Sequence, residues 1–315
     1  MTAIAPISPA PSNHVQSTVS RIGETAGDAL QQAEAFVNVA LDLQKQPRHR
    51  QDLEDALFLY GKAEELVGEQ QAVAKARIQA GRGSALRRMP GAGLDELVLS
   101  RESFEEALTV LRHEGGAEEV AEVEMSLGVV LQALAGAKKA PINDAIQAYQ
   151  RALRVFSKED YPREFAVIHN NLATAYLSMA NFGDQGQVKE ALAVQSFREA
   201  LEVVTIEHDP SEFAMLQNNL GNALQAVRSS HPFENLARAV EAYDEALRVR
   251  TPFDTPVEYA NTVTNKANAL MNLPDGFADD SFDENKQSNP DNLQAAVSLL
   301  REAANLFGQH HLRDR

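Results

Sequence analysis

Asparagine is the residue type whose spacing in this chain invites a chemical reading. Asn170 and Asn218 stand at the same place in two copies of one pattern, REFAVIHNNLATAYLSM from Arg163 and SEFAMLQNNLGNALQAV from Ser211, and Asn222, Asn261 and Asn268 extend the series. Each carboxamide offers both donors and an acceptor, so a row of them can pair with the backbone of an extended peptide without demanding a particular side chain. Asparagine is a poor helix former, and several in register need another reason to be there. For their neighbours Asn171 and Asn219, beside the apolar Leu172 and Leu220, bonding to adjacent helices is the better reading, because buried amides are normally satisfied. Arg77, Arg87 and Arg88 are the basic counterpart. They either add charge-assisted bonds to a partner's carboxylate or form ion pairs with the acidic helices around them.

Catalytic and metal-ligating alternatives are poorly supported. His169, His208 and His231 lie in separate segments with no paired acid nearby, and His310 and His311 are adjacent, so on a helix they point in different directions. Asp279, Asp280, Asp283 and Glu284 lack the spacing and central glycine of a calcium loop. The chain has no cysteine, which excludes disulfides, thiolate nucleophiles and zinc-thiolate sites. No glycine-rich phosphate loop follows a strand. The expectation is a protein that is not an enzyme and carries no metal or cofactor.

The elements that must position these residues are helices. Phe165, Ile168, Leu172, Ala175, Tyr176 and Met179 recur at helical spacing, and Phe213, Leu216, Leu220, Ala223, Leu224 and Val227 match them one for one. Each copy is followed by a second apolar-periodic segment ending in EALEV or EALRV, so a helix pair is being repeated from Pro162 to Arg250. Helix pairs at a period of about fifty residues mark an all-α solenoid. Before the doubled stretch the pattern predicts helices near 17–44, 52–67, 72–89, 97–111, 117–134 and 143–156; after it, 257–273 and 293–307. Tyr161-Pro162, Asp209-Pro210 and Thr255-Pro256 each put proline just before an acidic first turn, where its fixed φ and missing donor are harmless. Residues 1–16 read as a disordered Pro-rich tail, 274–291 as a long acidic loop and 308–315 as a flexible tail.

Composition sets the outer bounds. The 315 residues carry a net charge of −16, which disfavours a sequence-independent grip on nucleic acid or anionic lipid. No apolar run approaches the roughly 18 residues of a membrane span, and the first residues lack the basic start and apolar core of a secretion signal, so cytoplasmic residence is the default.

Leu127, Gly128, Leu131, Ala145, Tyr149 and Ala152 have a spacing that resembles the tetratricopeptide repeat. Leu172, Ala173, Tyr176, Ala193, Phe197 and Ala200 fit it, as do Leu220, Gly221, Leu224, Ala239, Tyr243 and Ala246. Weaker copies surround Gly83, Phe104 and Ala107, then Ala40, Ala56, Tyr60 and Ala63, then Ala267, Ala296, Leu300 and Ala303, making six that cover about 17–307. Equivalent positions are 45 to 48 residues apart (Gly83 to Gly128, Ala173 to Gly221), longer than the usual ~34. That form looks like the bacterial long-repeat subfamily found beside CHAT protease-like domains. The resemblance implies a right-handed superhelix whose first helices line a concave groove. On that basis the partner-binding residues would be Arg77, Arg87, Arg88, Asn170, Thr174, Asn218, Asn222, Gln225, Asn261 and Asn268, with Glu34, Ser84 and Gln132 on the same face. The carboxylate clamp of chaperone-docking members is incomplete, since Val167, Met215 and Thr264 supply no cation.

The resulting expectation is a non-catalytic scaffold that holds a partner protein or extended peptide in its groove. Two alternatives stay open: an assembly chaperone for a subunit of a larger enzyme, and a sensor that closes on a small ligand. Self-association through a terminal helix pair is a further expectation, because solenoid ends leave an apolar face uncovered.

Overall fold

The structure is a computed structural model that describes residues 10–25, 27–180, 186–229, 231–277 and 290–313. The described residues form thirteen α-helices and no strand. The chain divides into two compact units, Met1–Phe156 and Ser157–Arg315. The first holds α1 (Asn13–Thr25), α2 (Ala29–Lys45), α3 (Arg50–Leu66), α4 (Ala72–Arg88), α5 (Leu94–Glu114), α6 (Ala117–Gly136) and α7 (Ile142–Ala152). The second holds α8 (Pro162–Ala180), α9 (Gly186–Leu201), α10 (Pro210–Ala226), α11 (Pro232–Leu247), α12 (Pro256–Leu270) and α13 (Pro290–Arg313).

Within the first unit α2 packs on α3, α4 on α5 and α6 on α7, and the pairs stack through α3 against α4 and α5 against α6. In the second unit α8 pairs with α9, α10 with α11 and α12 with α13, stacked through α9 against α10 and α11 against α12. The fold is therefore an all-α solenoid of helix pairs, three in each unit. First helices also touch directly, α2 with α4, α4 with α6 and α10 with α12, so they line one side of each stack.

Small residues set the helix spacing. Tyr149 and Tyr243 are fully buried, and a Cβ on Gly128 or Gly221 would stand 2.5 or 2.6 Å from their rings. Phe104 lies on Gly83 in the same way, at 2.9 Å. An aromatic ring on the second helix thus fills the space that a missing side chain leaves on the first. Burying each ring contributes roughly 2–3 kcal/mol.

The three proline-started turns of the second unit share one backbone geometry. Tyr161 N–H donates to Ser157 O, Asp209 N–H to Thr205 O and Thr255 N–H to Thr251 O, at 3.0, 3.0 and 3.1 Å. The next helix follows at once, because Phe165, Phe213 and Tyr259 N–H bond back to the residue before the proline. Pro162, Pro210 and Pro256 stand at the first helical position, followed by Glu164, Glu212 and Glu258 in the first turn.

Several boundaries differ from the periodicity reading. The single helix expected over 17–44 is two, α1 and α2, because Asp28 caps α2 and Gln31 bonds back in a capping box, with Asp28 Oδ1 accepting from Gln31 N–H at 2.8 Å. Helix α1 begins at Asn13, inside the expected tail. Ser12 explains this: its N–H and hydroxyl both donate to the buried Asp55 of α3, at 2.9 and 2.6 Å, while Ser12 Oγ accepts from Val15 N–H. At the other end α13 spans Pro290–Arg313, into the expected tail. The Asp275 carboxylate accepts from Asp291 and Asn292 N–H, at 3.1 and 2.9 Å, and starts that helix earlier than apolar spacing indicates. Most of the acidic loop, residues 278–289, lies outside the described residues, as do 1–9 and 314–315.

Candidate functional site

The amides of the second unit are largely engaged with one another. Asn218 is only 9% exposed; its Oδ1 accepts from Asn265 Nδ2 at 3.2 Å and its Nδ2 donates to Asn219 Oδ1 at 3.5 Å. Tyr243 is the centre of the group. Its hydroxyl donates to Asn222 Oδ1 at 2.8 Å and accepts from Gln225 Nε2, which also reaches Asn265 O at 3.3 Å. Burial pushes the Tyr243 phenol well above its ordinary pKa, and the bond from Gln225 opposes that in part. Asn218, Asn222 and Gln225 are thus brought together as a polar seam joining α10, α11 and α12. Asn261 and Asn268 are exposed on α12. Thr174 Oγ1 donates to Asn171 O at 2.9 Å. On α8 two buried side-chain atoms, Asn170 Oδ1 and His169 Nδ1, have no hydrogen-bond partner among the described residues. His169 stacks on Phe165 at 4.3 Å between ring centroids, and burial lowers its pKa against the pull of Glu199 and Glu202.

The basic residues lie in the first unit. Arg77 pairs bidentately with Glu119 of α6, Nε to Oε1 at 2.7 Å and Nη2 to Oε2 at 3.2 Å. That bond raises the Arg77 pKa and lowers that of Glu119. Arg87 is half-buried, its Nε has no partner among the described residues, and its pKa is lowered by burial and by Arg88 beside it. Arg88 is exposed.

Between α2, α4 and α6 the first-helix face opens into a cavity of about 360 Å³. Val37, Leu41, Ala80 and Val123 form its apolar walls, Gln44, Ser84 and Ser126 its polar points, and the Arg77–Glu119 pair its rim. A second hollow of about 310 Å³ shares Val37 and Arg77 and adds Glu34 and Ile78. Tyr60 lines the larger one. Its ring is 0% exposed and lies on Gly81, where a Cβ would meet the ring at 2.5 Å. The hydroxyl makes no hydrogen bond of normal geometry among the described residues. Gln44 Nε2 donates instead to Gly81 O at 2.9 Å, and its influence on the Tyr60 phenol is smaller than the upward push of burial. In the other tyrosine-bearing pairs the hydroxyl is satisfied, Tyr149 donating to Gln132 Oε1 at 2.9 Å and Tyr243 to Asn222.

Tyr60 and Gln44 are among the site residues that sequence reasoning missed. A signal exists: a glutamine precedes each of these tyrosines by 16 to 18 residues, as Gln44/Tyr60, Gln132/Tyr149 and Gln225/Tyr243.

No set of three His, Cys, Asp or Glu able to hold a metal ion occurs among the described residues. His208 Nδ1 lies 3.1 Å from Thr205 Oγ1 within its turn, and His231 precedes α11. Asp279, Asp280, Asp283 and Glu284, and the side chains of His310 and His311, lie outside the described residues. No helix among those described is long and apolar enough to cross a membrane. No family model and no curated protein sequence matches the chain.

Proposed function

We propose that this chain is a non-catalytic scaffold of the tetratricopeptide-repeat kind, which receives an extended segment of a partner protein on the first-helix face of its first unit. The observation that carries the reading is the cavity between α2, α4 and α6, walled by aliphatic side chains with Gln44, Ser84 and Ser126 as its polar points. Apolar walls with a few convergent polar points are the usual make-up of a recognition pocket. An apolar side chain of the partner enters between Val37 and Val123, while backbone groups beside it meet Gln44, Ser84 and Ser126.

The test is recovery of partner protein from the source cells by the native chain and by Leu41→Glu. Leu41 is 43% exposed, so a carboxylate there alters the cavity wall without entering the core. A partner retained by the native chain and by Leu94→Glu, an equally exposed change at the start of α5, but lost with Leu41→Glu supports the groove. Equal recovery with all three refutes it.

The size of the cavity favours one second reading. About 360 Å³ lies within the range of small-molecule sites, so a low-molecular-weight effector is the competing occupant. Scattering of the full chain with and without a cell-extract metabolite fraction separates the two, since the sensor reading requires a change in dimensions.

A further inference from the structure

Beside the turn between α5 and α6 the first unit holds another cavity, of about 440 Å³, that shares no lining residue with the groove. Three guanidinium groups and one carboxylate meet in it: Arg112 from the last turn of α5, Glu124 from α6, Arg151 from α7 and Arg154 just beyond. The Glu124 side chain is 2% exposed. Its Oε1 accepts three bonds, from Arg112 Nε at 3.1 Å and Nη2 at 2.6 Å and from Arg151 Nε at 2.8 Å. Its Oε2 is buried and has no hydrogen-bond partner among the described residues. Arg154 is exposed and enters no ion pair among the described residues.

A structural tie between helices needs one cation for one carboxylate. Here one carboxylate oxygen aligns two guanidinium groups, a third stands beside them, and two positive charges are left over. The outer N–H groups of Arg112 and Arg151 find no other acceptor among the described residues. Gly115 and Ala117 bring main chain to the cavity at the start of α6, whose cap residue Gly116 has no side chain and whose first-turn Glu118 and Glu119 are not among the lining residues.

We propose that this cavity binds a phosphate monoester, with Arg112, Arg151 and Arg154 donating to its oxygens and Glu124 positioning the first two. Planar guanidinium forks match a tetrahedral oxyanion two bonds at a time. A phosphoryl group carries about −1.5 to −2 charges near neutral pH, which balances the excess, whereas one carboxylate would leave half of it. The hollow is larger than the phosphoryl group itself, so the group arrives on a larger body, either a small phosphorylated metabolite or a phosphorylated side chain.

The experiment is calorimetric titration of the full chain at constant ionic strength with glycerol phosphate and with a phosphoserine peptide, using chloride as the blank. Saturable binding that Arg154→Ala weakens about tenfold or more, the loss expected for a charge-assisted bond, supports the site. The Arg154 change should leave helicity and the unliganded melting temperature unaltered, since that side chain is exposed. Tighter binding of the small ester assigns a metabolite, and tighter binding of the peptide assigns a modified protein. Glu124→Gln is the second variant. It makes the site more positive yet frees the two guanidinium groups, so affinity should fall; a rise would remove the positioning role from Glu124. No saturable heat with either ligand, or equal affinity in Arg154→Ala, overturns the proposal.

Discussion

Substituting one glycine tests the packing rule on which the whole solenoid rests. Gly128→Ala puts a methyl group 2.5 Å from the Tyr149 ring, where ordinary carbon contacts are about 3.5–4.0 Å. The ring must therefore retreat by about 1 Å or more. It has little room to do so, being 0% exposed and tethered through its hydroxyl to Gln132. Overpacking of this kind costs about 1–3 kcal/mol, against a gain of about 1 kcal/mol from replacing a helical glycine by alanine. The net expectation is a loss of up to about 2 kcal/mol. Gly61→Ala isolates the helix contribution, because a Cβ on Gly61 of α3 meets nothing within 4 Å; it should stabilise by up to about 1 kcal/mol. Both variants belong in one urea titration followed by far-ultraviolet circular dichroism. If Gly128→Ala moves the midpoint in the same direction as Gly61→Ala, close packing of tyrosine on glycine is not what spaces the helices.

Three further outcomes follow from the buried polar groups. Tyr243→Phe removes a hydroxyl that serves both Asn222 and Gln225 and should cost about 1 kcal/mol, whereas Tyr60→Phe deletes an unsatisfied hydroxyl and should be neutral or stabilising. The same urea titration reads both, and equal losses would refute the difference drawn between the two sites. Glu190→Ala strips the acceptor from Arg228 N–H and Nε, bonded at 2.8 and 2.9 Å, and should lower stability by about 1–2 kcal/mol even at high salt, because the carboxylate is buried. His169 is held below its ordinary pKa of 6.5 by burial, so on acidification the unfolded chain takes the proton first. Stability should therefore be steady above about pH 6.5 and fall as the pH drops below it, and His169→Gln should flatten that slope; an unchanged slope would place the titrating group elsewhere.

What the sequence disclosed and what it withheld divide along contact range. The helix pairs were legible because they rest on spacings of three and four residues, as with Leu172 and Tyr176 or Leu220 and Leu224, all buried as expected. The glycine–aromatic pairs were legible as a repeated spacing, and the proline turns as a repeated dipeptide. Helix register also placed Asn218 and Asn222 near one face, but it could not rank them. Asn265, 47 residues away, draws Asn218 inward, while Asn222 stays exposed and reaches back to Tyr243. Arg77 was open to two readings for the same reason: its partner Glu119 lies on the next first helix, 42 residues along. Glu124 sits in the run VAEVEMSLGVV, and a carboxylate on the inner face of an apolar helix can be stable only if cations from other elements meet it. That requirement was present in the chain as written; which arginines met it, and that a third stood beside them, depended on bringing the ends of α5 and α7 to one edge of α6.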